Sequence, residues 1–304
     1  MKNKCDVQNR SPKTVSAYRN VLKRFLPENF WSKSLIKISE EDIEHIFKQR
    51  AEELHPTQDA LKKALQYIRA IFRFAVMKRW CLKDPTTTVD LENFNSLCKI
   101  EKKQAEEKEV SPEEVSSLRT YALQHTDNPR ALIMLLASQT GMRCAELCAL
   151  RWEDVESDYL HIHRQQLITE NGVGKRSVCE VQYTKDERQN PHDGRRFPRT
   201  AEINHVLELA KALPGNSVYV FHDGDSWVLK DGYVHYLRKC CQRLGTQATN
   251  NHAFRMALNG ELIDKGFNSV ERSLLLGHSV ETNERHYSLA DRRRPADICS
   301  RMVK

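Results

Sequence analysis

Residues 140–152 read TGMRCAELCALRW, and this stretch places an arginine directly after a glycine turn. Gly141 is predicted to end the apolar helix before it, because glycine readily adopts the left-handed conformation found at helix C-termini. Arg143 would then lie at the start of the next helix. Glu146 follows three residues later on the same helix face, where its carboxylate can hold the guanidinium. Taken alone, this pattern is also that of an ordinary amphipathic helix.

Three further segments carry residues that could act together on a phosphate. In HAFR, His252 and Arg255 share a helical face and Phe254 is turned toward the core. His278 follows a helix that ends at glycine, and Tyr287 lies nine residues later. Two arginines can fork onto the non-bridging oxygens of a phosphodiester while two histidines donate further hydrogen bonds. A tyrosine, with an ordinary pKa of about 10, becomes a nucleophile only near such positive charge. The residues therefore predict a phosphoryl-transfer site without a metal.

These segments resemble the tyrosine recombinase (phage integrase) family. The matching stretches are TGMRCAELCALRWEDV, HAFR and LLGHSVETNERHYS, which occur in the family's order and with its nine-residue step from histidine to tyrosine. The strand segment HIHRQQ and the hairpin YTKDERQNPHDGRRFP are most similar to integrases of conjugative transposons. The resemblance covers residues 110–304 in motifs and residues 11–85 more loosely.

The resemblance implies a role for each residue of the candidate site. Arg143 and Arg255 would be the phosphate clamps, with Glu146 in support. His252 and His278 would assist proton transfer and stabilise the pentavalent phosphorus. The nucleophile would be Tyr287.

The family also uses a hairpin lysine as general acid to the leaving 5′ oxygen. Lys185 is assigned to this role, because it precedes the hairpin turn and the strand that begins at Arg195. Lys175 is the rival assignment.

The predicted fold is mainly α with a small three-stranded antiparallel sheet. Leu160 and Ile162 alternate with polar neighbours, and strands are expected near 159–165, 178–184 and 195–199. Helical periodicity precedes and follows this region. The resemblance implies the two-domain tyrosine recombinase, or DNA breaking-rejoining enzyme, fold.

Two domains and a linker are expected. Residues 1–85 contain three amphipathic helices, and the resemblance makes them a helical core-binding (SAM-like) DNA-binding domain. Residues 86–110 lose the apolar periodicity and become nearly all charged from residue 99 onward, as a connector would. Ser111 then opens a capping box with Glu114, so the catalytic domain is predicted to span residues 111–304.

The third helix of the first domain has a basic outer face. Such a face can lie against DNA phosphates and release their counterions, although a solvated helix face has the same composition. The candidate DNA-binding residues are Lys62, Lys63, Arg69, Arg73, Lys78 and Arg79.

Composition narrows the class of protein. The 304 residues carry a formal net charge of +7 and a pI near 8.9, which suits a polyanionic partner. Nine scattered cysteines form neither a disulfide framework nor zinc-ligand spacing, which favours a reducing, cytoplasmic location. The longest apolar stretch is far shorter than the ~20 residues of a membrane span, and residues 1–30 lack a leader pattern, so membrane and secreted proteins are not expected.

His161 and His163 form a histidine pair without an apparent third ligand, so neither a metal nor another cofactor is predicted.

The predicted function is site-specific DNA recombination through a 3′-phosphotyrosyl intermediate, for integration and excision of a mobile element. Its partners would be duplex DNA with specific recombination sites and three further protomers in a tetramer. An excision or accessory factor is a further candidate. The alternatives are Xer-like dimer resolution, a relaxing topoisomerase of the same chemistry, and a non-catalytic DNA-binding regulator on the same fold.

Overall fold

The computed structural model describes residues 12–99, 111–170, 176–184, 193–246, 250–277 and 279–281. The chain divides into two compact units, Met1–Lys102 with Ile168–Arg176, and Lys103–Leu167 with Ser177–Lys304. Each unit has a separate hydrophobic core. Helices make up most of the described structure.

The first unit is built on three amphipathic helices whose apolar faces meet in its core. Ser39 caps the second helix in a reciprocal capping box with Asp42. Leu22, Phe47 and Phe72 are each at most 2% exposed. The helices are α1 (Pro12–Phe25), α2 (Glu40–Leu54) and α3 (Gln58–Met77), with 3₁₀ turns at Glu28–Ser32, Leu35–Lys37 and Leu91–Leu97.

The predicted linker, 86–110, begins too early. Val89 and Phe94 are each 6% exposed and belong to the core of the first unit. They lie in and beside a 3₁₀ turn, where buried residues do not recur at the spacing of an α-helix, so periodicity could not reveal them. Residues 100–110 lie outside the described part of the chain.

The second unit is arranged around one helix that is buried on nearly every side. Residues 131–137 of this helix are all at most 2% exposed, and five of the described helices pack against it. Its C-terminus at Thr140 and Gly141 is thereby held at the centre of the unit. The helices are α4 (Pro112–Leu123), the central α5 (Pro129–Thr140), α6 (Cys144–Leu147), α7 (Ala201–Lys211), α8 (Lys230–Leu244), α9 (His252–Asp264) and α10 (Ser269–Leu276).

The strands pair two by two. In the described residues β1 (Tyr159–Ile162) pairs antiparallel with β4 (Arg195–Pro198), with Ile162 opposite Arg195. The second pair is β2 (Gln165–Glu170) with β3 (Arg176–Val181), and the third is β5 (His222–Asp223) with β6 (Ser226–Trp227).

The single three-stranded sheet expected from the sequence is therefore not what the described strands form. The predicted strand 159–165 is interrupted at His163 and Arg164, whose side chains lie 2.9 Å and 2.7 Å from a carboxylate oxygen of Asp154. Simple alternation of apolar and polar residues does not report such a break.

Two further features concern the chain as described. None of its helices is both long and apolar enough to cross a membrane. The seven cysteines within the described ranges are all free thiols.

Candidate active site

The turn that follows α5 requires glycine for two reasons. Gly141 has φ 60°, in the left-handed region, as predicted for the helix stop. A Cβ at this position would also lie 3.0 Å from Leu276 Cδ2 and 3.3 Å from Arg255 Cα. The turn therefore brings α9 and α10 close to the start of α6.

Arg143 caps the start of α6 and is held by the glutamate predicted from the sequence. Its Nη1 donates to Glu146 Oε1 at 2.8 Å, and its backbone N–H donates to Glu146 Oε2 at 2.9 Å. Arg143 Nη2 donates to the carbonyl of Gly277 at 2.7 Å. The Arg143 side chain remains 24% exposed. It therefore borders solvent while its hydrogen bonds to Glu146 and Gly277 hold it in place.

A second arginine, which the sequence did not assign to the site, binds the same carboxylate. Arg195 of β4 donates from Nη2 to Glu146 Oε2 at 2.7 Å and from Nη1 to Oε1 at 3.3 Å. Its Nε donates to the carbonyl of Leu275 at 3.2 Å. The sequence carries a weak indication that Arg195 points inward, because strand alternation puts it on the same face as the buried Phe197.

Glu146 is buried, with only 1% of its surface exposed. Burial raises the pKa of this carboxyl, but the charges of Arg195 and Arg143, a hydrogen bond from Arg195 and the charge of Arg255 outweigh burial and hold it well below its ordinary value. Arg255 is thus close enough to act on the same carboxylate. Two arginines thus bind this buried carboxylate directly, and the charge of Arg255 also acts on it.

Arg255 is 2% exposed and lies one turn into α9. Its Nε donates to the carbonyl of Gly141 at 2.7 Å. His252 is the first residue of α9 and is exposed, and Phe254 is buried as predicted. The HAFR segment thus turns its aromatic ring into the core and its arginine toward the turn before Arg143.

Asn251 and Tyr233, which sequence reasoning missed, fix the start of α9. Asn251 Nδ2 donates to the carbonyl of Met142 at 2.7 Å, and the Tyr233 hydroxyl donates to Asn251 Oδ1 at 2.7 Å. Both side chains are buried. A buried asparagine that bonds backbone leaves no periodic trace in the sequence, which explains why it was overlooked.

The remaining predicted site residues lie outside the described ranges. These are Lys185, its rival Lys175, His278 and Tyr287. The structure therefore brings together Arg143, Glu146 and Arg255, and it places His252 at the start of the helix that carries Arg255.

The basic face predicted on α3 is exposed except at one residue. Arg69 is partly buried, and its Nη2 donates to the carbonyl of Thr86 at 2.8 Å. This arginine holds the loop after α3, so it is a poor candidate for a phosphate contact. The exposed candidates are Lys62, Lys63 and Arg73 on α3, and Lys78 and Arg79, which lie just beyond its C-terminal end.

His161 and His163 are partly buried rather than simply exposed. Their rings stack with centroids 4.2 Å apart. His163 Nε2 lies 2.9 Å from Asp154 Oδ1, and His161 Nε2 lies 2.8 Å from the carbonyl of Asp193. Among the residues described, no group of three or more potential metal ligands occurs.

A mainly helical unit with small antiparallel sheets, in which two arginines meet at one turn, has the catalytic-domain fold of a tyrosine recombinase. The chain belongs to the phage integrase family, whose model matches residues 108–293. The resemblance predicted from the sequence motifs is thereby confirmed.

Solved structures of integrases share this fold. The Tn1549 transposon integrase (residues 82–397) in complex with a circular intermediate DNA has a TM-score of 0.72 at 17% identity, covering 94% of this chain and 92% of that one. A lambda integrase (residues 75–356) dimer bound to a COC′ core site has a TM-score of 0.63 at 16% identity, covering 91% and 89%. A lambda integrase tetramer bound to a Holliday junction has a TM-score of 0.60 at 16% identity, covering 90% and 74%. No curated protein matches the chain.

Proposed function

We propose that the protein is a site-specific DNA recombinase that cuts and rejoins DNA through a 3′-phosphotyrosyl intermediate. The observation that carries this proposal is the meeting of Arg143 and Arg255, far apart in the sequence, at the two sides of the turn formed by Gly141 and Met142. Arg143 borders solvent and is held at its back by Glu146. Two fixed guanidinium groups suit the two non-bridging oxygens of one phosphodiester.

The chemistry would be an in-line displacement at phosphorus. Tyr287 Oη would form a bond to the scissile phosphorus while the bond from phosphorus to the 5′ oxygen breaks. Lys185 would give a proton to the leaving 5′ oxygen. His252 and His278 would assist proton transfer, one of them accepting the proton that the Tyr287 phenol loses. The 5′ hydroxyl of a partner strand could then attack the phosphotyrosyl ester and reverse the step without ATP, because the ester retains the energy of the broken bond.

The arginines would act mainly by charge stabilisation. Phosphoryl transfer needs positioned positive groups around the equatorial oxygens more than it needs covalent chemistry from the protein. A residue held by buried hydrogen bonds does not have to reorganise when the transition state forms. The network around Glu146 meets this requirement for Arg143.

The proposed partners are duplex DNA carrying specific recombination sites and further copies of this chain. The similar structures are integrases bound to DNA, one of them a tetramer on a Holliday junction, and another from a transposon. We therefore propose a tetramer on DNA and a role in integrating or excising a mobile element. The first unit would contribute DNA contacts through α3, and an accessory factor could set the direction.

Covalent trapping on a nicked suicide duplex tests the nucleophile. The wild-type protein should give a protein–DNA band on a denaturing gel, and Tyr287→Phe should bind the duplex without forming that band. Tyr159→Phe removes a 42% exposed phenol elsewhere and should keep the band. A covalent band that persists in Tyr287→Phe overturns the assignment.

A two-plasmid assay tests the reaction class. A recombinase should join two plasmids that each carry a site, whereas a relaxing topoisomerase would change only the linking number of each. A non-catalytic regulator would do neither and would give no covalent band.

A further inference from the structure

We propose that Arg195 is a positioning residue for this reaction, which neutralises Glu146 so that the positive charge of Arg143 remains available to the phosphate. It would also fix the Leu275–Gly277 backbone, which leads directly into His278. This inference rests on the proposed function.

The first argument is the charge balance around Glu146. Glu146 cancels the charge of one guanidinium, so the two clamps, Arg143 and Arg255, would together present the net positive charge of only one arginine to a phosphate. Arg195 binds both oxygens of the same carboxylate, at 2.7 Å and 3.3 Å, and its side chain is only 8% exposed. Arg195 offsets the charge of Glu146, so the positive charges of both clamps remain available, and the member of the cluster that borders solvent is Arg143.

The second argument is the shared hold on the end of α10. Arg195 Nε donates to the carbonyl of Leu275, and Arg143 Nη2 donates to the carbonyl of Gly277. These carbonyls lie at a helix C-terminus, where they lack helical partners and where positive charge is favoured. Both arginines therefore hold the segment that immediately precedes His278.

Gly277 shows how closely Arg195 approaches this backbone. A Cβ at position 277 would lie 3.0 Å from Arg195 Nη1 and 3.2 Å from its Cζ. The guanidinium thus packs directly on a residue that has no side chain. Through Glu146 and Gly277, Arg195 links β4 to the start of α6 and to the end of α10.

The competing explanation is that Arg195 only stabilises the fold. Arg196 provides a matched control, because it is the next residue of the same strand and also pairs with a glutamate, Glu156, at 3.4 Å. Its side chain is 46% exposed and points to the other face. Removing Arg196 should leave cleavage within about twofold of wild type, as is usual for an exposed pair.

The first experiment separates binding from cleavage in single turnovers on the suicide duplex. Arg195→Ala should slow cleavage at saturating DNA by about 100-fold, the size expected when a stabilising charge is lost, while the Kd for DNA changes by less than about threefold. Arg195→Lys should recover at least about tenfold of this loss, because lysine restores the charge without the fork. Equal rates for wild type and Arg195→Ala would overturn the proposal.

The second experiment is a double-mutant cycle with Glu146→Gln, which measures whether the two residues act through each other. If Arg195 acts by neutralising Glu146, its removal should cost about tenfold or less once the carboxylate is gone. Arg195→Ala/Glu146→Gln should then cleave faster than Arg195→Ala. If Arg195→Ala does not fold, the cleavage rate of the double variant is compared with that of Glu146→Gln instead. A double variant that cleaves about 100-fold more slowly than Glu146→Gln contradicts the proposal.

The two proposals fail differently. A wild-type protein that forms no covalent adduct removes the proposed recombinase activity. A wild-type adduct together with an Arg195→Ala rate like that of Arg196→Ala removes only the role of Arg195.

Discussion

Glu146 carries its negative charge in the interior because cations surround it on several sides. A buried ion pair is costly to form, but removal of one partner leaves the other charge uncompensated and typically costs 3–5 kcal/mol. Glu146 is therefore the residue through which stability and the candidate site are most closely connected. Its substitution should affect both.

Glu146→Gln should lower the free energy of unfolding at pH 7 by about 3 kcal/mol, because the buried arginines lose their shared anion. The pKa of Glu146 in the folded protein is held below its ordinary value of 4.5. The carboxylate therefore contributes stability above about pH 4.5, and this contribution is lost as the pH falls through the lower folded pKa. The difference between wild type and variant should shrink accordingly.

Urea unfolding at pH 7, 5, 4 and 3 measures this dependence. Glu208→Gln is the control, because Glu208 is 66% exposed and pairs only with Lys211 in the described structure. Its effect should be small at every pH. A constant difference between wild type and Glu146→Gln down to pH 3 would contradict the buried charge.

Arg143→Ala should reduce the single-turnover cleavage rate by about 10²–10³-fold, the cost of losing one donor to developing negative charge. DNA binding should change little, since many other cations contribute to it. Gel shift and cleavage on the same duplex measure both quantities. Arg238→Ala, an exposed arginine on α8, should retain the wild-type rate. Loss of binding equal to loss of cleavage would argue against a role in the transition state.

At the residue scale, spacing along the sequence predicted only those contacts of the site that join residues close in the sequence. Arg143 and Glu146 are three residues apart, so their pairing could be predicted from helix geometry alone. Arg195 contacts Glu146 across 49 residues of sequence. Such a contact depends on how β4 packs, and no local pattern determines that.

Gly277 ends α10 with φ 64°, and Gly245 ends α8 with φ 65°. Alanine at either position is strained by about 1–2 kcal/mol, because L-residues disfavour this conformation. At position 277 the added Cβ would also meet Arg195, whereas no atom of the described residues lies within 4 Å of the Cβ position at Gly245. We expect both variants to lose similar local stability but only Gly277→Ala to lose cleavage activity as well.

Melting curves and single-turnover cleavage of the two alanine variants test this expectation. The difference in rate between them isolates the contact with Arg195 from the shared backbone strain. Equal cleavage rates of the two variants would indicate that Arg195 can move away from a Cβ at position 277 without affecting the site.

The exposed stripe of α3 should contribute to DNA affinity through charge alone. Lys62→Ala and Arg73→Ala should each weaken binding to all sequences about equally and lower the slope of log K against log salt by about 0.9. Titrations at several salt concentrations measure that slope. Lys48→Ala, an exposed lysine on α2, is the control and should leave the slope unchanged. An unchanged slope in both α3 variants would show that Lys62 and Arg73 do not contact DNA phosphates.

Among the elements, helices that begin with a capping residue were the most predictable from the sequence. The capping residue Ser111 and its partner Glu114 form the predicted capping box at the start of α4. The break at His163 and Arg164 could not be predicted in the same way, because no start or stop residue marks it. Both side chains contact the carboxylate of Asp154, which lies earlier in the chain.

The two separate cores should allow the second unit to fold alone. A fragment of residues 111–304 should show helical circular dichroism and a cooperative melting transition, because its core is formed entirely by residues within that range. It should bind DNA more weakly than the whole chain. A fragment that lacks a cooperative transition would show that the cores depend on each other.

The division of the chain also bears on how the proposed DNA specificity could be redirected. A chimera that replaces the first unit with a different DNA-binding module would leave the core around α5 intact. The exchange must treat the described residues 168–170 as belonging to the first unit, since they group with it. A graft designed only from the N-terminal boundary would therefore combine a foreign module with a fragment of the original.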